Sequence, residues 1–149
     1  MQITLAHVGT RLAKGDPCEA MTQMYLQRTA GFVRCDTEAF KSEAALWEWL
    51  DKRHGRTPAI AVLLDSRGKQ MSSEVFAVWL GERRDEGAQQ IIFAIGAADG
   101  WSETARRRAR LLLSLGTFTM AHALARLVMA EQLYRACTIL AGHPYHSGH

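Results

Sequence analysis

Apolar residues in this chain fall into two spacings, and the alternation between them predicts most of the architecture. Continuous apolar runs at 59–64 and 91–95 suit strands covered on both faces. A shorter run at 3–8 predicts a first strand, stopped by Gly9 and Thr10, and 111–115 predicts a last one. Residues 32–35 predict an additional strand early in the chain. Between these runs the spacing turns helical. Asp16 caps a helix with Pro17 at its first position, running through Met21, Met24, Tyr25 and Arg28 to Gly31. Ser42 opens a second helix with Ala45, Leu46, Trp49 and Leu50 on one face, ended by Gly55. Ser72 or Ser73 starts a third, burying Val75, Phe76, Trp79 and Leu80 and stopped by Gly87. Ser102 caps a short basic helix through Arg110, and a long helix runs from His122 to Gly142. Residues 65–69, 96–100 and 116–121 are left as loops. Strands alternating with helices indicate one α/β domain over residues 1–149 with a mainly parallel sheet.

Composition narrows the class. With 48% hydrophobic and 22% charged residues over 149 positions, the chain reads as globular and large enough to fold without a staple. Cys18, Cys35 and Cys137 are widely spaced and form no CxxC pair, so reduced thiols are expected. The amino-terminal stretch is too short and polar for a signal peptide, and no apolar run nears the ~20 residues that span a bilayer. A cytoplasmic protein is therefore expected. The net charge of +3 suits a polyanionic partner but does not by itself identify one.

In open parallel sheets, ligands bind beyond the carboxyl ends of the strands. The three loops named above leave such ends, and two of them carry glycines after apolar strands. A glycine there either makes a tight turn or lets a ligand approach the backbone; spacing alone leaves both open. Arg106, Arg107, Arg108 and Arg110 spread around most of a helix, as a solvated face or as phosphate contacts. The tail residues His143, His146 and His149 offer imidazoles, but Pro144 breaks helical register and no cysteine pair accompanies them, so no metal site is expected. Glu131, Tyr134 and Arg135 default to packing along the last helix. His122 and Arg126 share a face near its start, where His122 is expected to orient a loop through a hydrogen bond, with a catalytic role as the alternative.

Several of these residues fall in a recognisable order. Leu113-Ser-Leu-Gly-Thr-Phe-Thr-Met-Ala-His122 is followed by Arg126, by Ala130-Glu-Gln-Leu-Tyr-Arg-Ala136 and by His143-Pro-Tyr-His146. Upstream lie Val8-Gly-Thr10, Tyr25 with Arg28, Leu64-Asp65 with Gly68-Lys69, and Ile95-Gly96 with Asp99-Gly100. Together they resemble the large-subunit ribosomal RNA methyltransferase H family of the SPOUT superfamily, across nearly the whole chain and most specifically from Leu64 onward.

The resemblance implies a SPOUT-type α/β fold whose carboxyl-terminal segment threads a trefoil knot, assembled as a homodimer. It implies S-adenosylmethionine as methyl donor and methylation of N3 of a pseudouridine in 23S ribosomal RNA on the assembled ribosome, with neither metal nor membrane. Carried over by position, Leu64, Gly96, Leu115, Gly116, Thr117, Phe118, Thr119 and Met120 would hold the donor. Tyr145 and His146 would lie on the substrate side, with His146 or Tyr145 as candidate proton acceptor. Arg135, Arg106 and Arg110 would contact ribosomal RNA phosphates. Ala97, Ala98, Ala121 and Ala123 depart from the glycines and prolines common in the family, which leaves these loops freer in the unfolded chain. Two other functions fit the same residues: a SPOUT methyltransferase acting on another RNA base, or a non-catalytic ribosome-associated module.

Overall fold

The computed structural model describes residues 1–9, 12–53 and 55–147. Thr10, part of the expected stop after the first strand, and His149 of the tail lie outside them. Five strands, β1 (Gln2–Val8), β2 (Arg34–Phe40), β3 (Ile60–Gln70), β4 (Gln90–Ile95) and β5 (Leu111–Ser114), form one sheet in the order β2-β1-β4-β3-β5. Every pairing is parallel. Five helices connect them: α1 (Pro17–Thr29), α2 (Glu43–Asp51), α3 (Ser73–Asp85), α4 (Glu103–Arg108) and α5 (His122–Ala141). A single 3-10 turn, Pro144–His146, follows.

The period-two alternation of the strands decides which side each residue faces. Ile3, Leu5, Val62, Ile91 and Phe93 pack with Leu26 of α1, Phe76 and Leu80 of α3, and Met129 and Leu133 of α5. Ala6, Val8, Ala61, Leu63, Ile92 and Ala94 pack with Leu46, Trp47 and Leu50 of α2 and Ala105 of α4. Both faces are thus covered, as an all-parallel sheet requires. Each large side chain so buried contributes about 1.5–3 kcal/mol relative to exposure.

Helix starts follow the expected chemistry. Asp16 accepts from the Cys18 amide at 2.7 Å, and Ser42, Ser72 and Ser102 each accept from the amide three residues on. Gly142, with φ of 69°, closes α5 in the left-handed conformation. No described helix is long and apolar enough to cross a membrane.

Several boundaries differ from expectation. The second strand lies at Arg34–Phe40, beyond the apolar 32–35, because it is an edge strand whose residues are only half-buried. Trp47 is buried and Trp49 lies at the margin of that core, whereas Val75 stays 51% exposed on α3. The basic helix ends at Arg108; the Arg110 amide already donates to the Ala61 carbonyl as β5 begins.

The largest difference is at 65–69, expected as a loop. Here β3 continues to Gln70, and Leu113 of β5 pairs with both Leu64 and Lys69 across an irregularity. Gly68 makes this possible. A Cβ on it would stand 2.6 Å from the Leu112 carbonyl carbon and oxygen, so no other residue lets the two backbones approach this closely.

Candidate functional site

The middle of β3 and the carboxyl ends of β4 and β5 line a cavity of about 430 Å³. It takes Leu64 to Arg67 from the first, Ile95 to Trp101 from the second, and Leu115, Gly116, Phe118, Thr119 and Met120 from the third. Seven of the eight residues expected to hold a donor line it; Thr117 does not. Walls of Leu64, Ile95, Leu115 and Met120 are apolar, while glycine turns present bare backbone. The volume falls in the ordinary range for small-molecule sites.

Each rim is fixed by local chemistry. The Ser114 hydroxyl accepts from the Gly116 amide at 3.2 Å and donates to the Gly116 carbonyl at 3.0 Å, folding the chain back after β5. Gly116 has φ of 126°, which an L side chain adopts only with strain. Ser102, at the end of the second rim, donates its hydroxyl and its amide to the Glu43 carboxylate at 2.7 and 2.8 Å, tying that loop to α2.

Gly96, besides lining the cavity as expected, has a second role. Its missing side chain makes room for Trp101: a Cβ there would meet the indole at 3.0 Å. Trp101 is 7% exposed and its Nε1 donates to the Leu64 carbonyl at 2.9 Å. Sequence reasoning did not single out Trp101, because a tryptophan ahead of a helix cap carries no periodic signal.

Asp65 contributes a carboxylate paired with arginines to the cavity wall. Its carboxylate accepts from Arg106 Nε at 2.9 Å and from the Arg67 amide at 2.8 Å. Burial pushes this carboxyl up, but the Arg67 amide and the Arg106 and Arg67 guanidiniums outweigh it and hold it below the usual carboxylate value. Arg106 also pairs with Glu103 at 3.0 Å, so it braces the cavity and is not free for RNA, contrary to the expectation for it. Arg110 is exposed but at the opposite ends of the strands.

Beside α1, behind the start of α5, lies a buried charged cluster. The Arg126 side chain is 1% exposed and donates from its Nη2 to both Glu19 oxygens at 3.1 and 3.2 Å. Its Nη1 lies 3.2 Å from His7 Nδ1. A guanidinium only donates, so that nitrogen accepts. His122 packs edge-on against His7, with ring centroids 5.5 Å apart. Both His122 ring nitrogens are enclosed and have no hydrogen-bond partner among the described residues, so the expected loop-orienting bond from His122 is not made among them. Burial, then the nearby Arg126 charge, push the His122 imidazole below its ordinary value.

Tyr145 and His146 lie apart from the cavity, and neither lines it. Arg135 Nη1 donates to His146 Nδ1 at 3.0 Å, which leaves the ring proton on Nε2, 2.8 Å from Glu74 of α3. The Tyr145 hydroxyl donates to Glu131 at 3.0 Å, and Arg135 donates to the same oxygen from Nε at 3.0 Å and Nη2 at 2.6 Å. Burial, then hydrogen bonds to Tyr25 and Glu131, hold the Tyr145 phenol above its ordinary value, so its proton is retained. A second recess of about 330 Å³ adjoins the cavity through Leu115 and Gly116 and extends to Gln132, next to Glu131. Among the described residues no cluster of three or more His, Cys, Asp or Glu could hold a metal.

Comparison with known proteins agrees with this geometry. The ribosomal RNA large subunit methyltransferase H of Koribacter versatilis is 44% identical over 149 residues, all of both chains. The protein of the same name from Brucella ovis is 56% identical over 88 residues, 59% of this chain and 52% of that one. Among solved structures, the SpoU methyltransferase AviRb of Streptomyces viridochromogenes in complex with AdoMet superposes with a TM-score of 0.52 at 12% identity, covering 95% of this chain and 61% of that one. That likeness concerns the fold. The family described as predicted SPOUT methyltransferase matches residues 1–146. Matched along nearly its whole length, the chain belongs to the SPOUT methyltransferase family.

Proposed function

We propose that this protein transfers a methyl group from S-adenosylmethionine to N3 of a pseudouridine in 23S ribosomal RNA on the assembled ribosome. The observation that carries the reading is the cavity at the middle of β3 and the ends of β4 and β5, built largely from the residues that the family pattern assigns to the donor. Its apolar walls suit an adenine, its glycine turns suit close approach to backbone, and Asp99 brings negative charge to a site for a cation. When bound, the sulfonium supplies an already activated methyl group. The chain's own work is then alignment, worth up to ~7–11 kcal/mol of barrier, and exclusion of water.

Leu64, Leu115 and Met120 give the cavity apolar walls, and Trp101 ties two of its rims together. Glu131, Arg135 and Glu74 set the ring orientation of His146 and the hydroxyl of Tyr145. His146 accepts a proton only by releasing Arg135, and Tyr145 is held as a phenol; both therefore act first as orienting groups for RNA, with Arg135 beside them. Because Tyr145 and His146 do not line the cavity of their own chain, a homodimer in which the partner's tail faces the cavity completes the site. Phe118, 87% exposed on the cavity rim, and Leu124, 42% exposed on α5, are apolar surface suited to that contact. The knotted carboxyl-terminal path and a cytoplasmic location belong to the same reading.

The test is transfer of labelled methyl from S-adenosylmethionine to intact ribosomes lacking the modification, with free ribosomal RNA alongside. Label mapped to N3 of one pseudouridine, and lost in Ala98→Arg, is expected. Label on another base would reassign the substrate. Absence of label together with no calorimetric binding of the donor would make this a ribosome-associated module without activity. Turnover of His146→Ala unchanged across pH would remove His146 from the proton transfer.

A further inference from the structure

The amino ends of the strands carry a second concentration of chemistry. A shallow recess of about 440 Å³ lies there, bordered by Trp47, Leu50, Pro58, Arg108 and Arg110. Two guanidiniums lie against indoles: Arg108 is 4.5 Å from the Trp47 ring centre and Arg53 is 3.9 Å from that of Trp49. Arg56 follows in the segment leading to β3, where its amide donates to Gln89 at 2.8 Å and its side chain remains exposed.

The charge at this end is not balanced. Asp51 pairs with Arg108, Glu86 with Arg83, and Glu48 with Lys52, so the neighbouring carboxylates are engaged. Arg53, Arg56 and Arg110 are exposed and have no acidic side-chain partner among the described residues. Elsewhere Arg106, Arg126 and Arg135 each meet a carboxylate. Three unneutralised guanidiniums in one region repel one another, which favours an anion there. Arg53, stacked on Trp49 and without a carboxylate partner among the described residues, offers its N–H edge to phosphate oxygens, whereas Arg108 is held by Asp51.

We propose that this tryptophan-backed arginine surface grips the phosphate backbone of ribosomal RNA, at the opposite end of the sheet from the donor cavity. The proposal rests on the reading of the protein as a ribosomal RNA methyltransferase. The six residues of β4 separate the two ends by roughly 17–20 Å at ~3.3 Å per residue. RNA held at both ends fixes the angle at which the cavity meets its target nucleotide, which contact at the cavity alone does not.

The test is binding of protein-free 23S ribosomal RNA and of intact ribosomes across a salt series, for the wild type, Arg53→Ala/Arg56→Ala/Arg110→Ala, and the corresponding triple lysine variant. Each phosphate contact contributes about 0.7–0.9 to the slope of log affinity against log salt. The alanine variant is expected to lose about 2–3 from that slope on both substrates and to raise the KM for ribosomes about tenfold or more. Its kcat at saturation and its donor affinity stay unchanged, and the lysine variant regains most of the slope. A slope equal to wild type overturns the proposal. So does a loss seen on ribosomes but not on protein-free RNA, which would point to an acidic ribosomal protein. Should the triple variant not fold, Arg110→Ala alone decides, with a slope loss of about one expected and none overturning it. A wild type that methylates no ribosome would instead sink the functional reading.

Discussion

The indole N–H of Trp101 donates to the carbonyl of Leu64 at 2.9 Å while the same ring fills the space that glycine leaves at position 96. One side chain thus joins the middle of β3 to the end of β4 where both line the cavity. Trp101→Phe keeps a ring over Gly96 but strips the Leu64 carbonyl of its partner, at a stability cost of about 1–3 kcal/mol. Donor affinity is expected to fall roughly tenfold, equivalent to about 1.4 kcal/mol, with kcat little changed. Calorimetric titration with S-adenosylmethionine beside thermal melting separates the outcomes. A lower melting temperature with unaltered affinity would make Trp101 a packing residue only.

Gly68 leaves no room for a methyl group against the Leu112 backbone. Gly68→Ala forces β3 and β5 apart or bends one of them, at a cost of about 1–3 kcal/mol. For a domain of this size that lowers the melting temperature by roughly 2–10 °C. A calorimetric scan showing no change would mean that the strand pairing beyond Leu64 carries no stability.

His122 gives the molecule a pH dependence of definite sign. Its folded imidazole titrates below the ordinary 6.5, first because it is buried and second because Arg126 is near. Between the folded and unfolded values the unfolded chain binds more protons, so stability is full above about pH 6.5 and declines as the pH falls through the folded value. His122→Phe keeps the aromatic contact with His7 and removes the titration. Melting temperatures measured from pH 7 down to pH 5 are expected to fall less steeply in that variant. Parallel slopes would assign the acid sensitivity to another group.

Much of this was legible in the sequence for physical reasons. Runs such as 91–95 are strands because both faces are covered, and serine and aspartate caps mark helix starts by local hydrogen bonding, whatever the fold. The donor-loop residues were legible only through their order along the chain, since a glycine turn looks the same with or without a ligand. What escaped depends on distant partners. The 65–69 segment reads as a polar loop because nothing local shows that Leu112 and Leu113 lie alongside it. Arg106 reads as a free cation because Asp65, 41 residues away, is invisible to helical spacing. The packing of Trp101 into the space at Gly96 leaves no trace in the sequence, because the two meet only in the folded chain.

The strand order has a consequence for the birth of the molecule. β4 lies between β1 and β3, so β1 has only an edge partner until residue 95 has been made, and β5 can join only afterwards. The recess for the methyl donor borrows from β3, β4 and β5 together and reaches Met120. A nascent chain on its own ribosome therefore passes most of its synthesis without a ligand pocket to shelter it. High free donor cannot rescue early folding intermediates; it stabilises only chains whose last strand is already docked.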